Sequence, residues 1–213
     1  AKRIDSISFS EASDMAAYGA KVLHPATLMP AMRKNIPVFV GSSKDTAAGG
    51  TLVCCTTENP PSYRAVAVRR KQTLVRLHSL NSQPSYRFLA QIFALLEQHT
   101  VAADLVTTSE NSIALALDST NATSGEDPTL TTALFTALSS HCRVEVETGL
   151  ALVTLVGNQL TQASSVCKDV FARFDEHAVR MICHGASNNN LCFLLPGDVA
   201  DSAIKALHQR LFE

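Results

Sequence analysis

Tryptophan is absent, and 9 Phe and 3 Tyr supply the only aromatic rings, so aliphatic side chains must build most of any core. Charge of one sign is also missing. Eighteen Lys and Arg stand against 19 Asp and Glu, a formal net charge of -1. That balance excludes the basic footprint of a nucleic-acid binder or of a protein held on an anionic membrane. No apolar run approaches the roughly 18 residues that read as a membrane-spanning helix. Glycine (9) and proline (8) are too few for a collagen-like or low-complexity chain. The six cysteines (Cys54, Cys55, Cys142, Cys167, Cys183 and Cys192) show no CxxC spacing. A metal or redox motif is therefore not indicated, and a chain with this many aliphatics has no need of a disulfide scaffold. They are expected as reduced core residues of a cytoplasmic protein. The chain opens on Ala rather than Met, as a fragment or processed product would.

What is present is a globular composition, 46% hydrophobic and 17% charged over 213 residues, enough for one or two compact units. Residues 1–53 differ in texture from the rest. Ser10–Ala17 reads as a short capped helix stopping at Gly19, and a second short helix spans about Ala26 to Lys34. Ile36–Val40 reads as a buried strand. Two Gly, two Pro and several Thr between Gly49 and Tyr63 mark a boundary or linker. This opening segment is too short to be an α/β domain and looks like the tail of one.

From Thr73 the periods become regular. Val75 and Leu77 alternate with Arg76 and His78, a strand with one wet face. Phe88, Leu89, Ile92, Phe93 and Leu96 recur at helical spacing. Val101–Thr107 and Ser112–Asp118 read as strands around a polar turn at Ser109-Glu110-Asn111. Asp127-Pro128 suits the start of a helix carrying Leu130, Leu134 and Leu138, and Arg143–Glu147 closes the unit as a strand. The order βαββαβ is the ferredoxin-like arrangement. It then nearly repeats. Leu150–Val156 is a strand; Val166, Val170, Phe171 and Phe174 make a helix face; Val179–Cys183 and Leu191–Leu195 are strands; a last helix presents Ala200, Ala203, Ile204, Leu207 and Leu211. The second unit is one strand short, and an open edge beside an apolar helix needs a partner. Arg64–Arg70 reads as that strand, crossing over so that the first unit is inserted within the second. The alternative is an extra edge strand on the first unit.

The stretches Phe9-Ser10-Glu11-Ala12, Tyr18 to Pro25 and Ile36 to Val40 resemble the end of the amino-acid kinase domain of aspartokinases. Leu77 to Asn81, Phe88-Leu89-Ala90 and Asp104 to Glu110 resemble the first regulatory ACT domain of the lysine-sensitive members, and Arg180 to Ser187 resembles the second. The resemblance implies an α+β chain with two ferredoxin-like βαββαβ ACT domains, the first inserted into the second, after an α/β kinase tail. Its implied divisions are 1–53 for the tail, 54–63 for a linker, 64–70 for the crossing strand, 71–148 for the first ACT domain and 149–213 for the second. It further implies phosphoryl transfer from ATP, with Mg2+, to aspartate in the complete enzyme, with L-lysine as feedback effector and a homodimer through residues 73–148.

The family's phosphate-handling Lys-Phe-Gly-Gly-Thr motif does not occur here, and Gly41-Ser42-Ser43-Lys44 is not a P-loop. By resemblance only Lys21 and Val22 fall where the kinase domain touches nucleotide, so catalysis by this chain alone is not expected. For the effector site, the resemblance points to Ser82, Ser85, Phe88, Leu89, Ala102, Ala103, Asp104, Ser109 and Glu110. Read by themselves, these residues leave alternatives open. Asp104, on a strand expected to be buried, needs a partner, either structural or an effector ammonium. Ser85 serves as a helix N-cap, as part of a carboxylate site at the helix start, or as both. Phe88 and Leu89 are expected as half core and half pocket wall, while Ser109 and Glu110 suit a solvated turn as well as a site. Arg87 stands where the family usually has Gly, and Ser82 where Met is common. The rival reading is a stand-alone ACT-type sensing or assembly module without a kinase partner; a minimal kinase active as this chain is disfavoured by the missing phosphate motif.

Overall fold

The computed structural model describes residues 3–18, 25–80, 84–118, 130–164, 166–172 and 178–213. The opening segment forms β1 (Ser6–Ser8), α1 (Phe9–Ala17), α2 (Pro25–Lys34), β2 (Val38–Gly41) and β3 (Gly50–Cys54). The strands make a small sheet ordered β1-β3-β2, with β3 parallel to β1 and antiparallel to β2. Ile7, Phe9, Leu28 and Val53 are its buried centre. The helix expected from Ser10 starts one residue earlier, at Phe9, capped by Ser8. The Ser8 hydroxyl accepts the Glu11 N–H at 3.2 Å and the Glu11 carboxylate accepts the Ser8 N–H at 2.9 Å, a reciprocal capping box.

Two expectations fail here. The Ile36–Val40 stretch is not a buried strand: Ile36 is 56% and Phe39 65% exposed, because β2 lies at a sheet edge. The stretch from Gly49 is not linker from its start, since β3 is the central strand. Its glycine is there for closeness rather than for a break: a Cβ on Gly50 would lie 2.3 Å from the Val40 carbonyl oxygen.

The remaining strands are β4 (Tyr63–Ser79), β5 (Ala103–Thr108), β6 (Ser112–Asp118), β7 (Cys142–Gly157), β8 (Met181–His184) and β9 (Asn190–Pro196). The helices are α3 (Ser85–Gln98), α4 (Thr132–Ser139), α5 (Val166–Phe171) and α6 (Ala200–Phe212). One six-stranded sheet runs β5-β6-β4-β7-β9-β8. The Arg64–Arg70 stretch and the strand from Thr73, read separately from sequence, are one 17-residue strand. Its first half runs antiparallel to Ala151–Val156 and its second half lies between β6 and Cys142–Glu147. Each half-sheet therefore has the ferredoxin-like strand arrangement, and each long strand is central in one unit and an edge in the other.

Irregular pairing at the middle of the ladder explains why one strand looked like two. The register shifts around Gln72, where Lys71 has φ +57° and, opposite, Gly149 has φ +73°. An inserted residue shifts the alternation by one. Val66 and Val68 face one pair of helices before it; Val75 and Leu77 face the other pair after it. Helices α5 and α6 cover Val153, Leu155, Leu191 and Phe193, while α3 and α4 cover Leu77, Ile113 and Leu115. On the opposite face Leu74, Leu105, Ala116, Leu152, Met181 and Leu194 form a third cluster that joins both units, and the edge strands β5 and β8 come into contact. Helix α4 is capped by the Thr131 hydroxyl, which accepts the Leu134 N–H at 3.2 Å; the expected Asp127-Pro128 start and Phe174 lie outside the described residues. Cysteine burial differs from expectation: only Cys142 and Cys192 are buried, while Cys55 and Cys167 are exposed.

Deleting residues 1–70 removes the strand that flanks Ala151–Val156 and uncovers apolar surface worth roughly 25 cal/mol per Å². Hydrogen exchange should then rise throughout 150–213 more than in β5 and β6. Preferential loss of protection in β5 and β6 would show that the shared strand matters chiefly to the first unit.

Candidate functional site

The residues singled out for effector binding fall into two groups at opposite ends of β5. Strands β4 and β5 both run toward the turn at Ser109–Asn111, where the Ser79 N–H donates to the Asn111 carbonyl at 2.9 Å. Helix α3 starts at that same end. Ser85, Phe88, Leu89, Ser109 and Glu110 therefore share one end of the unit. Ala102, Ala103 and Asp104 sit at the other, roughly 17 Å away at about 3.3 Å per strand residue. Within one chain they do not converge. Ser82, Lys21 and Val22 lie outside the described residues.

Each position has a local cause. Ser85 is not the N-cap but the first helical residue; Pro84 occupies the cap and makes no side-chain cap bond. The start of α3 thus presents its first backbone N–H groups without a side-chain acceptor, which suits a carboxylate. Phe88 is 2% exposed and wholly core, so only Leu89, half-buried, is left as a wall. Ser109 and Glu110 are exposed in the turn, where the Ser109 N–H donates to the Ser112 carbonyl at 2.9 Å. Arg87, on the first turn of α3, is exposed as well.

Asp104 is half-buried rather than buried. The pairing of β5 with β6 shifts between Ala103 and Leu105, so Asp104 sits on an irregularity with its side chain 22% exposed. Its carboxylate lies 3.2 Å from the Arg69 guanidinium of β4. Sequence reasoning gave no hint of that partner, because Arg69 is 35 positions away in sequence on a strand assigned to the other unit.

A second group of polar side chains joins α1 to the second unit. The Glu11 side chain is fully buried and its carboxylate accepts from Arg64 at 2.8 Å and from Asn158 at 2.6 Å. Burial pushes the Glu11 carboxyl up, but the bonds from Arg64, Ser8 and Asn158 outweigh it and hold the group below its ordinary range. Ser187 donates to Asp14 at 3.2 Å, and Asn189 bonds Ser10. Burial raises Asp14 against the bonds from Ser187 and Asn190. Tyr18, at the end of α1, packs into the cluster shared by both units, and burial there pushes the Cys192 thiol up to about 11. Sequence reasoning began the capped helix at Ser10, and neither the Ser8–Glu11 capping box nor the reach of Glu11 to Arg64 and Asn158 was read from it. Among the described residues no three His, Cys, Asp or Glu side chains are placed to hold a metal ion, and no helix is long and apolar enough to cross a membrane.

Comparison with known proteins places this geometry. The amino acid kinase family matches residues 1–42, and the ACT domain family matches residues 153–211. Over all 213 residues the chain is 59% identical to lysine-sensitive aspartokinase 3 of Escherichia coli (strain K12), covering 100% of this chain and 47% of that protein. It belongs to the aspartokinase family. The structure of E. coli aspartokinase III in complex with aspartate and ADP (R-state) aligns with TM-score 0.92 at 59% identity, over 100% of this chain and 47% of that one. The same enzyme in complex with lysine and aspartate (T-state) aligns with TM-score 0.86 at 58% identity and the same coverage. The chain spans about half the length of these relatives. It corresponds to an aspartokinase regulatory region with the end of the kinase domain attached.

Glu11→Ala should remove the cap, the ion pair and the Asn158 bond together and leave Arg64 buried and unpaired. Breaking a buried pair from one side costs about 3–5 kcal/mol, so the urea midpoint should fall markedly. Because the folded carboxyl is depressed, its contribution is full above the unfolded value of about 4.3 and is lost as pH falls through the folded value. The wild-type chain should lose stability on acidification below about pH 4.5, and the variant should lose less over the same range. Parallel acid curves for the two would show that Glu11 is not the group responsible.

Proposed function

We propose that this chain is the regulatory region of a lysine-inhibited aspartate kinase, whose complete protein transfers the γ-phosphoryl group of ATP, with Mg2+, to the β-carboxylate of aspartate. The observation that carries this reading is the match of the whole chain to the lysine-sensitive E. coli enzyme, from kinase-family tail to the last helix. The chain's own part is recognition and transmission, not phosphoryl transfer, which needs many convergent groups. We assign 1–53 to the kinase tail, 54–63 to the linker, 64–70 to the crossing strand, 71–148 to the effector-binding ACT unit and 149–213 to the second unit, in a cytoplasmic protein.

The effector is L-lysine. It carries one carboxylate and two ammonium groups, so its site must hold a positive and two negative features apart. The uncapped start of α3 at Ser85 offers backbone N–H groups to the carboxylate, and Asp104 and Glu110 offer acceptors to the ammonium groups. Ser82, Leu89, Ala102, Ala103 and Ser109 complete the lining, and Phe88 holds the start of α3 from beneath. The separation along β5 supports a site built by two chains. Strand β5 ends the sheet. Two copies related by a two-fold axis lay their β5 edges antiparallel, which brings the Asp104 end of one beside the Ser109, Glu110 and Ser85 end of the other. Lysine bound across that seam favours one arrangement of the dimer over the other, which is inhibition by differential binding to two states. Lys21 and Val22 are the residues of this chain assigned to the nucleotide.

Sedimentation should give a dimer at tens of micromolar. Calorimetry should show saturable lysine binding, with threonine and methionine weak because each lacks the second cation. Charged hydrogen bonds contribute about 1.5–3 kcal/mol, so Asp104→Ala should weaken lysine roughly tenfold to a hundredfold while the chain stays folded. Saturation by threonine with no heat from lysine would refute the assignment of the effector; a monomer that binds lysine fully would refute the two-chain site.

A further inference from the structure

Arg69 touches all three parts of the fold. It stands in the first half of β4, paired with Leu152 of the second unit. Its guanidinium lies 3.2 Å from the carboxylate of Asp104 on β5 of the first unit and donates at 3.3 Å to the carbonyl of Ala17, the last residue of α1. The last turn of α1 contains no basic residue of its own, although a helix end gathers partial negative charge on its free carbonyls. One cation from another element therefore serves a helix end and a carboxylate at once. The ion pair is partly buried: the Arg69 side chain is 20% and that of Asp104 22% exposed, while the Asp104 Oδ2 that faces Arg69 is itself shielded from water. Both side chains can still be reached from solvent, so an exchange of partners there needs no unpacking of the core.

We propose that Arg69 is a positioning residue that couples the effector site to the kinase-family segment, an internal competitor for the carboxylate that an effector ammonium takes. The proposal rests on the reading of Asp104 as an acceptor for that ammonium. With the site empty, Arg69 is shared between Asp104 and Ala17. An ammonium arriving at Asp104 supplies the charge that Arg69 supplied, and the guanidinium, whose planar fork can place two donors on one acceptor region, turns toward the end of α1. Helix α1 lies within the part matched by the amino acid kinase family, residues 1–42, and is fixed to the second unit through Glu11. A shift in charge at its carbonyl end therefore reaches the kinase side without rearranging the two sheets.

Three chains, wild type, Arg69→Gln and Asp104→Asn, separate the possibilities by calorimetry with lysine and by amide exchange of residues 9–18. Lysine should slow exchange at the end of α1 in the wild type. Asp104→Asn should slow it without any ligand, since removing the carboxylate charge has the same effect as capping it with an ammonium. Arg69→Gln should bind lysine at least as tightly as the wild type, up to about tenfold tighter for one charged contact no longer competed for, and its α1 exchange should not respond. Arg69→Lys keeps a cation but not the fork, and should restore part of the response. The proposal is overturned if Asp104→Asn leaves α1 exchange unchanged, if α1 of Arg69→Gln still responds to lysine, or if Arg69→Gln binds lysine tenfold more weakly. Slower exchange in Asp104→Asn with no lysine effect on the wild type would keep the link and sink the effector assignment instead.

Discussion

The antiparallel ladder between β4 and β7 is the constraint on which everything else hangs. Both strands are unusually long, 17 and 16 residues, and neither unit closes without half of each. A strand that is central in one sheet and an edge in the next cannot be moved in one unit without moving it in the other. The irregularity at Lys71 and Gly149 keeps the alternation correct on both sides of the join, so all four helices find apolar residues waiting for them. The two units consequently behave as one sheet with two helix-covered ends. Their uncovered faces share Leu74, Leu152, Met181 and Leu194. A change at the first unit is felt in the second because no flexible linker separates them.

The kinase-family tail attaches to this body through a set of directed polar contacts. Among the described residues its own apolar centre is Ile7, Phe9, Leu28 and Val53. Against the second unit it offers Ser10, Glu11 and Asp14 from one face of α1, and Tyr18 from its end. Glu11 and Asp14 are three apart and hence neighbours on a helix. One carboxylate is held low by Arg64 and its other donors, the other is raised by burial. The attachment is thus specific in direction, since each acid has its own matching donors, Arg64 and Asn158 for the first, Ser187 for the second. Slippage by one residue along α1 would strand both.

Much of the fold was legible in the sequence because local patterns agreed with the final packing. The helices carrying Phe88, Ile92 and Leu96, and Ala203 and Leu207, present those residues inward as their spacing requires. The crossing of Arg64–Arg70 was readable from an edge that needed a partner. What stayed hidden was long-range or depended on backbone detail. The continuity of β4 was masked by an inserted residue, which looks in sequence like the end of one strand and the start of another. Strand β3 was masked by a glycine that permits close approach to β2 and was read as a breaker. The residues that resemblance assigns to the effector site divide between the two ends of β5, and that division follows from strand direction, which single positions do not carry. Arg69 was invisible for the same reason: its partners lie in three different elements.

The two ion pairs of α1 and its surroundings illustrate how burial sorts fixed contacts from exchangeable ones. Arg64 and Glu11 are 12% and 0% exposed, and any replacement partner for Glu11 would have to be delivered dry, with its hydration already removed. Such a pair is costly to break from either side. Arg69 and Asp104 are each about one-fifth exposed. Water reaches part of both side chains, though not the Asp104 Oδ2 that faces Arg69, so a competing cation can approach the pair without first shedding its whole hydration shell. Sequence gives both pairs the same chemistry, an arginine and a carboxylate. Their depth in the fold separates them, the first set deep enough to anchor α1 and the second open to the exchange proposed for it.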